Sequence, residues 1–491
     1  MKIIGINMKK LFIILFIGLL FTSCEKERKG YSELVMSVPE KHYTKTHLEP
    51  DIPNRLFDVI WDANDQVKIY DNEGGEGIYT NKNVYEDNNH EVAHFGGDGI
   101  DITQTVTAFY PVSIASSSNR FVLPYEQTYR LKNDGYIFDY PMWAQETNNN
   151  HIWFRNLTGI LILRLRGPQG TIVRNVFVKE PSDPLGIGIR GTYDVTAQGS
   201  THTNEPVIVP VSPAYDIMLN CTSNPVTLSS NESSLFYLSV PEGIHSRLLV
   251  GLEYKLPTST DWATTYQMIF AQSYNEQNFK FERSKWVPID VDFVGLDESL
   301  IYSLKNINLN PSVEADTVIN TDIPLTTAFG EYTFAIDLTP DDISSLDHNN
   351  YLRKTIYSEM DNTSSNYDGI IIRLAKQNNT GNVKVEVVIG NSTSIFSTTA
   401  FNSGERHQIV VTISNYSSNY GTVTLYFMRN RNVTSVNARF RKTLWISTTD
   451  PTPQVGGDQH IPGRYFDGQL HSFSIYNRVW TNQEINRFIT Q

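Results

Sequence analysis

The stretch YFDGQLHSFSIYNRVWTNQEI, residues 465–485, alternates apolar and polar side chains and then breaks into a short capped helix. Phe466, Leu470, Phe473, Ile475 and Tyr476 suit a late strand of a β-sandwich, and Asn477-Arg478 turns the chain out of it. Thr481 and Glu484 stand three apart, the spacing of a capping box in which each side chain bonds the other's backbone N–H. The box predicts a helix whose Ile485 and Phe488 fold back on the sandwich. The final strand and its latch therefore belong to one unit.

Upstream, the same period of two recurs from about residue 56. LFDVIWD, QVKIYD, TVTAFYPV, GILILRLRG, RNVFVKE, SLFYLSVP, RLLVGLEYKL and TYQMIFAQSY are each four to ten residues long and bounded by Gly, Pro, Asn or Asp. In GILILRLRG the leucines 161, 163 and 165 share one face and Arg164 and Arg166 the other, so the strand passes from two-sided burial to one wet face. A stretch with little sustained alternation, ESLIYSLKNINLNPSVEADTVINTDIP, reads as a connector. The rhythm restarts at GEYTFAIDL and continues through YDGIIIRLAK, VKVEVVIG, RHQIVVTIS and TVTLYFMRN. The expected fold class is all-β: two tandem sandwiches followed by a third.

Composition narrows the function. The chain has 491 residues, too many for one core, with 53 acidic against 40 basic residues and a net charge of -13. That balance argues against a duplex-DNA binder. Lys2, Lys9 and Lys10 precede an apolar run from Leu11 to Phe21, too short to span a bilayer, so residues 1–23 read as a signal peptide. FTSC follows, and it is similar to the lipobox of bacterial lipoproteins with Phe21 in place of the usual Leu. The similarity implies cleavage before Cys24 and a lipid on its sulfur, with residues 24–55 as a tether or pro-segment. The one other cysteine, Cys221 in DIMLNCTSN, reads as a small buried hydrophobe, so no disulfide is expected.

One motif points elsewhere. HEVAH, residues 90–94, matches the H-E-x-x-H zinc signature, but that chemistry needs a helix to bring two histidines onto one face a turn apart. NNHEVAHFGGDG is bracketed by Asn pairs and glycines, and in a strand His90 and His94 would lie about 13 Å apart. Ile100 stands where a third histidine would be needed. Asp341, Asp342 and Asp347 in DLTPDDISSLD read as caps and turn formers. No nucleophile has an evident base. The expectation is a non-enzymatic chain with no catalytic residue, no metal site and no cofactor.

The order VIWDANDQVKIYD, AHFGGDG, TAFYPV, YPMWAQ, IWFRNLTGILILRLRG resembles the fimbrillin-like proteins that build type V pili. The resemblance runs from about residue 55 to 293 and implies two tandem sandwiches, the second beginning near Ile152; with the polar run NNNH at 148–151 and the connector, the domains read as 56–148, 149–293 and a linker over 294–325. It further implies processing by an Arg-specific protease, with Arg55 in IPNRLFDVIW at the position of the cut, after which a neighbour's strand fills the vacated groove. Arg28 is a second plausible position, and an exposed, uncut Arg55 in a linker, as in anchor subunits, is the other alternative. The segment 326–491 resembles concanavalin A-like, laminin-G-like jelly rolls, through GEYTFAIDLTPDDI, SGERHQIVVTISNYSSNYGTVTLYFMRN and the closing stretch. The family often carries a glycine-preceded Asp where this chain has Phe427, Met428, Arg429 and Asn430, and an acidic pair where it has His471 and Ser472. These departures weaken a calcium site. Trp445 and Tyr465 are candidates for stacking on a sugar, against a plain core role.

Taken together these resemblances imply a cell-surface, outer-membrane lipoprotein: a tip or accessory pilus adhesin that accepts a donor strand and presents a lectin-like domain. Its partners would be other pilus subunits, a carbohydrate or surface-protein ligand, and the membrane only through Cys24. A monomeric glycan-binding lipoprotein and a glycoside hydrolase are the alternatives.

Overall fold

The computed structural model describes residues 32–37 and 61–490, the latter without 87–91, 133–134, 138–139, 148–149, 181–186, 199–204, 272–277, 294–295, 297–298, 310–318, 322–324, 326–328, 344–345, 347–352, 361–367, 377–380, 391, 430–431, 446–452 and 458–463. Among the described residues the elements are strands, short 3-10 turns and one α-helix, Asn482–Ile489. The all-β expectation holds. They fall into two compact units, one within Met1–Leu123, Asp139–Thr158 and Thr192–Ser212, the other within Pro124–Phe138, Gly159–Gly191 and Pro213–Gln491. The units thus interleave along the chain and do not divide at residue 148.

The first unit is built on an eight-stranded sheet in the order His151–Trp153, Ser32–Ser37, Val92–Gly97, Glu76–Tyr85, Gln66–Asp71, Thr105–Tyr110, Met142–Thr147, Arg155–Asn156. QVKIYD shows why these residues make strands: Val67, Ile69 and Asp71 point inward while the residues between them are more open. Trp61 is fully buried, donates its indole N–H to the Met36 carbonyl at 3.1 Å and meets Phe95 edge-on at 4.9 Å. Phe109 and Trp143 of this sheet pack with Phe121, Leu123, Tyr193 and Val195 into an apolar cluster.

The second unit holds a twelve-stranded sheet. From one edge it runs Asn432–Arg441, Tyr420–Arg429, His407–Asn415, Tyr332–Pro340, Gly468–Tyr476, Leu300–Leu309, Ala263–Phe270, Arg247–Lys255, Ile172–Lys179, Asp216–Asn220, Glu126–Thr128, with Val226–Thr227 beside Ile172–Lys179. Leu300–Leu309 corrects the reading of 294–325 as a linker. It pairs antiparallel with Gly468–Tyr476 and parallel with Ala263–Phe270, so the sheet is continuous across the expected boundary. A six-stranded sheet, from Ile319–Asn320 through Lys354–Met360 to Thr393–Phe396, covers the C-terminal half, and Phe334, Tyr357, Val411, Leu425 and Phe473 fill the space between. GILILRLRG lies in a three-stranded sheet parallel to Trp286–Asp292. Its early residues are buried, and Arg164 and Arg166 reach Asp290 at 2.5 Å and Asp292 at 3.4 Å.

The closing stretch folds as its pattern predicts. Gly468 opens the strand at φ 142, where a Cβ would sit 2.3 Å from the Thr339 carbonyl oxygen, so only glycine fits this approach. Thr481 N–H donates to Glu484 at 2.7 Å and Glu484 N–H donates to Thr481 Oγ1 at 3.3 Å, completing the capping box. Ile485 and Ile489 are buried against Val410, with Phe488 and Trp480 beside them. The one-residue shift from Phe488 to Ile489 as the deeper anchor is a matter of helix phase.

Candidate functional site

Cys24 and Arg55 lie outside the described residues. The strand Ser32–Ser37 falls between them in sequence and is an interior strand of the first unit. It pairs antiparallel with Val92–Gly97, Leu34 opposite Phe95 and Met36 opposite Ala93, and parallel with His151–Trp153, Met36 opposite Ile152. Leu34 and Met36 are fully buried. No sequence signal marked this hexapeptide, SELVMS, because its apolar residues are too few to establish a period.

Only part of the zinc motif falls within the described residues. His94 is on the strand Val92–Gly97, with its ring nitrogens 3.4 Å from Glu33 and 3.1 Å from Glu86, while His90 lies outside the described residues. Among the described residues no three His, Cys, Asp or Glu side chains converge on a metal-sized space. Asp341 and Asp342 follow the strand Tyr332–Pro340, where Asp341 N–H bonds the Asp467 carbonyl at 2.9 Å, and Asp347 lies outside the described residues. Cys221 is buried, which pushes its thiol up to about 12 and removes it as a nucleophile at neutral pH. Trp445 is fully buried, stacked on Tyr332 at 5.6 Å with its indole N–H donated to the Leu325 carbonyl at 3.3 Å. It is core. Tyr465 is half-buried in a bridge to Thr355. His471 Nε2 lies 2.9 Å from the Thr339 hydroxyl, at a position where the family often carries an acid.

The C-terminal sandwich does carry a cavity of about 180 Å³, lined by Thr399, Phe401, Arg406, His407, Gln408 and Met428 among others. Asp337, buried on the neighbouring strand, fixes its polar wall: Arg406 Nε donates to it at 2.8 Å, a second guanidinium N–H also donates, and Gln408 Nε2 reaches it at 3.3 Å. The His407 ring lies against Phe401 with centroids 4.1 Å apart, its Nε2 accepts the Asn402 N–H at 3.4 Å, and burial lowers its pKa. The imidazole is therefore neutral near pH 7, with its proton on Nδ1. The Thr399 hydroxyl is buried without a hydrogen-bond partner. The space is below the usual 300–1,000 Å³ of drug-sized sites, so it suits one small polar group presented by a larger ligand. Among the described residues no carboxylate lines it. The consecutive Arg406, His407 and Gln408 at a strand's start were its only mark in the sequence.

Two stacked sheets with antiparallel neighbours, a capped C-terminal helix and a small polar cavity define a lectin-like sandwich. Residues 315–486 match the concanavalin A-like lectin/glucanases superfamily. Among solved structures the chain is similar to a candidate cell adhesion protein from Bacteroides ovatus, with 10% identity over 54% of this chain and 94% of that one and a TM-score of 0.28. A second, from Bacteroides eggerthii, has 8% identity, covers 55% of this chain and 89% of its own, and has a TM-score of 0.24. No curated protein matches the chain. Among the described residues no helix is long and apolar enough to cross a membrane.

Proposed function

We propose that the chain is a non-enzymatic cell-surface adhesin of the fimbrillin type, a tip or accessory subunit that accepts a donor strand and presents its C-terminal lectin-like domain to glycans or surface proteins. One observation carries this reading: Ser32–Ser37, which precedes Arg55 in sequence, fills an interior place in the first unit's sheet. A cut after Arg55 would sever the covalent link to that strand. Its departure would leave two unpaired strand edges and an apolar groove over Ala93, Phe95 and Ile152, which is what β-augmentation requires of an acceptor. Gly468–Tyr476 is bonded along both edges and is not free to be donated. The lipid on Cys24 would hold the precursor at the outer membrane.

Mass spectrometry of the mature surface protein tests the reading. A start at Leu56 supports strand exchange. A lipidated Cys24 with Arg55 uncut supports the second reading, a monomeric glycan-binding lipoprotein, which the seated Ser32–Ser37 of the intact chain favours. Release of sugars from a polysaccharide panel would overturn both in favour of a glycoside hydrolase.

A further inference from the structure

Elsewhere on this protein an arginine on a sheet stands opposite a carboxylate: Arg164 with Asp290, Arg174 with Glu253, Arg190 with Asp216, Arg373 with Glu386. The hairpin at the edge of the twelve-stranded sheet, Tyr420–Arg429 and Asn432–Arg441, breaks that habit. Residues 406 to 449 contain no Asp or Glu, yet they include Arg406, Arg429, Arg431, Arg439, Arg441 and Lys442, in a chain whose net charge is -13.

Register gathers part of this charge on one outward face. Tyr420 lies opposite Arg441, Thr422 opposite Arg439 and Thr424 opposite Asn437, while Val423, Leu425 and Phe440 point into the core. The helix Asn482–Ile489 packs over the other end of the same face, at Val410, Tyr426, Met428 and Val433. The uncovered end is polar, aromatic and basic. The Arg439 guanidinium lies 3.7 Å over the Tyr416 ring, and Lys442 Nζ lies 4.5 Å over Phe329 and donates to Asn415 Oδ1 at 2.5 Å. Tyr416 and Tyr420 are 52% and 40% exposed, so both rings remain open to a ligand. Among the described residues, none of Arg439, Arg441 and Lys442 forms an ion pair; the acid beside them, Glu331, accepts the Asn415 N–H at 2.8 Å. Arg439 and Arg441, two apart on one face, have Cα atoms about 7 Å apart, so two like charges share this face, an arrangement that an external anion would relieve.

We propose that this face binds an acidic polysaccharide, with carboxylate or sulfate groups docking on Arg439 and Arg441 and sugar rings lying on Tyr416 and Tyr420. Guanidinium forks bind planar or tetrahedral oxyanions in pairs of bonds, and tyrosine offers a flat, amphipathic platform to a sugar face. Three cations are too few for a duplex, whose binders commonly engage about 6–10 phosphates. A membrane surface would want protruding apolar side chains beside the charge, and this end of the face has none beyond its tyrosines. The inference rests on the glycan-binding reading of the C-terminal domain and names the ligand class.

Binding of the full chain to polygalacturonate, heparin, neutral dextran and a short DNA duplex tests it. At least one acidic polysaccharide is expected to bind about ten-fold or more tighter than dextran, and to weaken as salt rises from about 50 to 200 mM. Polygalacturonate against heparin separates carboxylate from sulfate as the preferred anion. Arg439→Gln with Arg441→Gln should lower affinity about ten-fold or more at unchanged melting temperature, and Tyr420→Ala several-fold. Arg429→Gln, at the far end of the same hairpin, should stay within about two-fold, since a screened charge that distant contributes little. Duplex DNA bound as tightly as either acidic polysaccharide, or Arg429→Gln as damaging as the double variant, would overturn the proposal. Neutral glycans bound with acidic ones rejected would also overturn it while leaving the glycan-binding reading intact. Silence toward every glycan would remove both.

Discussion

Ser32–Ser37 in the first unit and Gly468–Tyr476 in the second are both interior strands, hydrogen-bonded to neighbours on either side, yet they are held on different terms. The first is six residues long, registers only three positions with His151–Trp153, and is joined to Trp61 by a segment that contains Arg55. The second registers eight positions with each neighbour and runs directly into the capped helix that locks over its own sheet. A sheet can thus be completed by a detachable strand or by a built-in one. What separates the two is how much pairing would be lost and whether the connection can be cut.

Truncation gives the largest expected effect. A chain of residues 326–491 lacks Leu300–Leu309 and exposes the partners of the buried Tyr302, Leu304, Ile307 and Leu309. Losing four such side chains at about 1.5–3 kcal/mol each rivals the whole stability of a domain. That segment should show no cooperative thermal transition by circular dichroism, whereas residues 296–491 should show one; a folded 326–491 would refute the built-in role of the shared strand. Phe473→Ala comes next. Its ring is fully buried, 5.5 Å from Tyr357 and 6.5 Å from Tyr302, so a cost of about 3–5 kcal/mol is expected in denaturant unfolding. Leu34→Ala should cost about 2–5 kcal/mol, but only in the first unit. Hydrogen exchange at the Ala93 and Phe95 amides should quicken while that of Gly468–Tyr476 does not, and equal quickening in both would erase the contrast between the two strands.

The strand rhythm was legible wherever one parity stayed buried through the element, as in QVKIYD and GILILRLRG. It failed at Leu300–Leu309, where the buried positions are Leu300, Tyr302 and Leu304 and then Ile307 and Leu309. The partner strand changes parity in the same place, from Phe473 to Leu470, beside a bulge opposite Asp337 and Leu338. Alternation broken by a bulge reads as a connector. The interleaving of the units was illegible for another reason: Pro124–Phe138 and Thr192–Ser212 join units that local pattern does not label. Of the candidate sites, the closing strand, the capping box and the strand setting of His94 followed from sequence. The cavity did not, because Asp337 meets Arg406 and Gln408 only through the pairing of Tyr332–Pro340 with His407–Asn415.

The latch supplies the smallest effect and one that pH controls. The Arg478 fork, with bonds of 2.6 and 3.0 Å, holds the Glu484 carboxyl at about 2, helped by the Thr481 N–H and hydroxyl and opposed by burial. Because the folded value lies below the ordinary 4.5, the stabilisation is complete above that pH and is lost as pH falls from about 4.5 toward 2. Glu484 is 37% exposed, so solvent screening limits the pair to less than about 1 kcal/mol. Thr481→Ala removes the cap and should cost about 1 kcal/mol at neutral pH. Trp480 lies 4.7 Å from Tyr476 and 5.7 Å from Phe488, so its fluorescence reports the latch directly. The expected record is a signal that changes between about pH 4.5 and 2 in the native chain and stays flat there in Glu484→Gln. A native signal equally flat would mean that Ile485 and Ile489 hold the helix without help from the Arg478 pair.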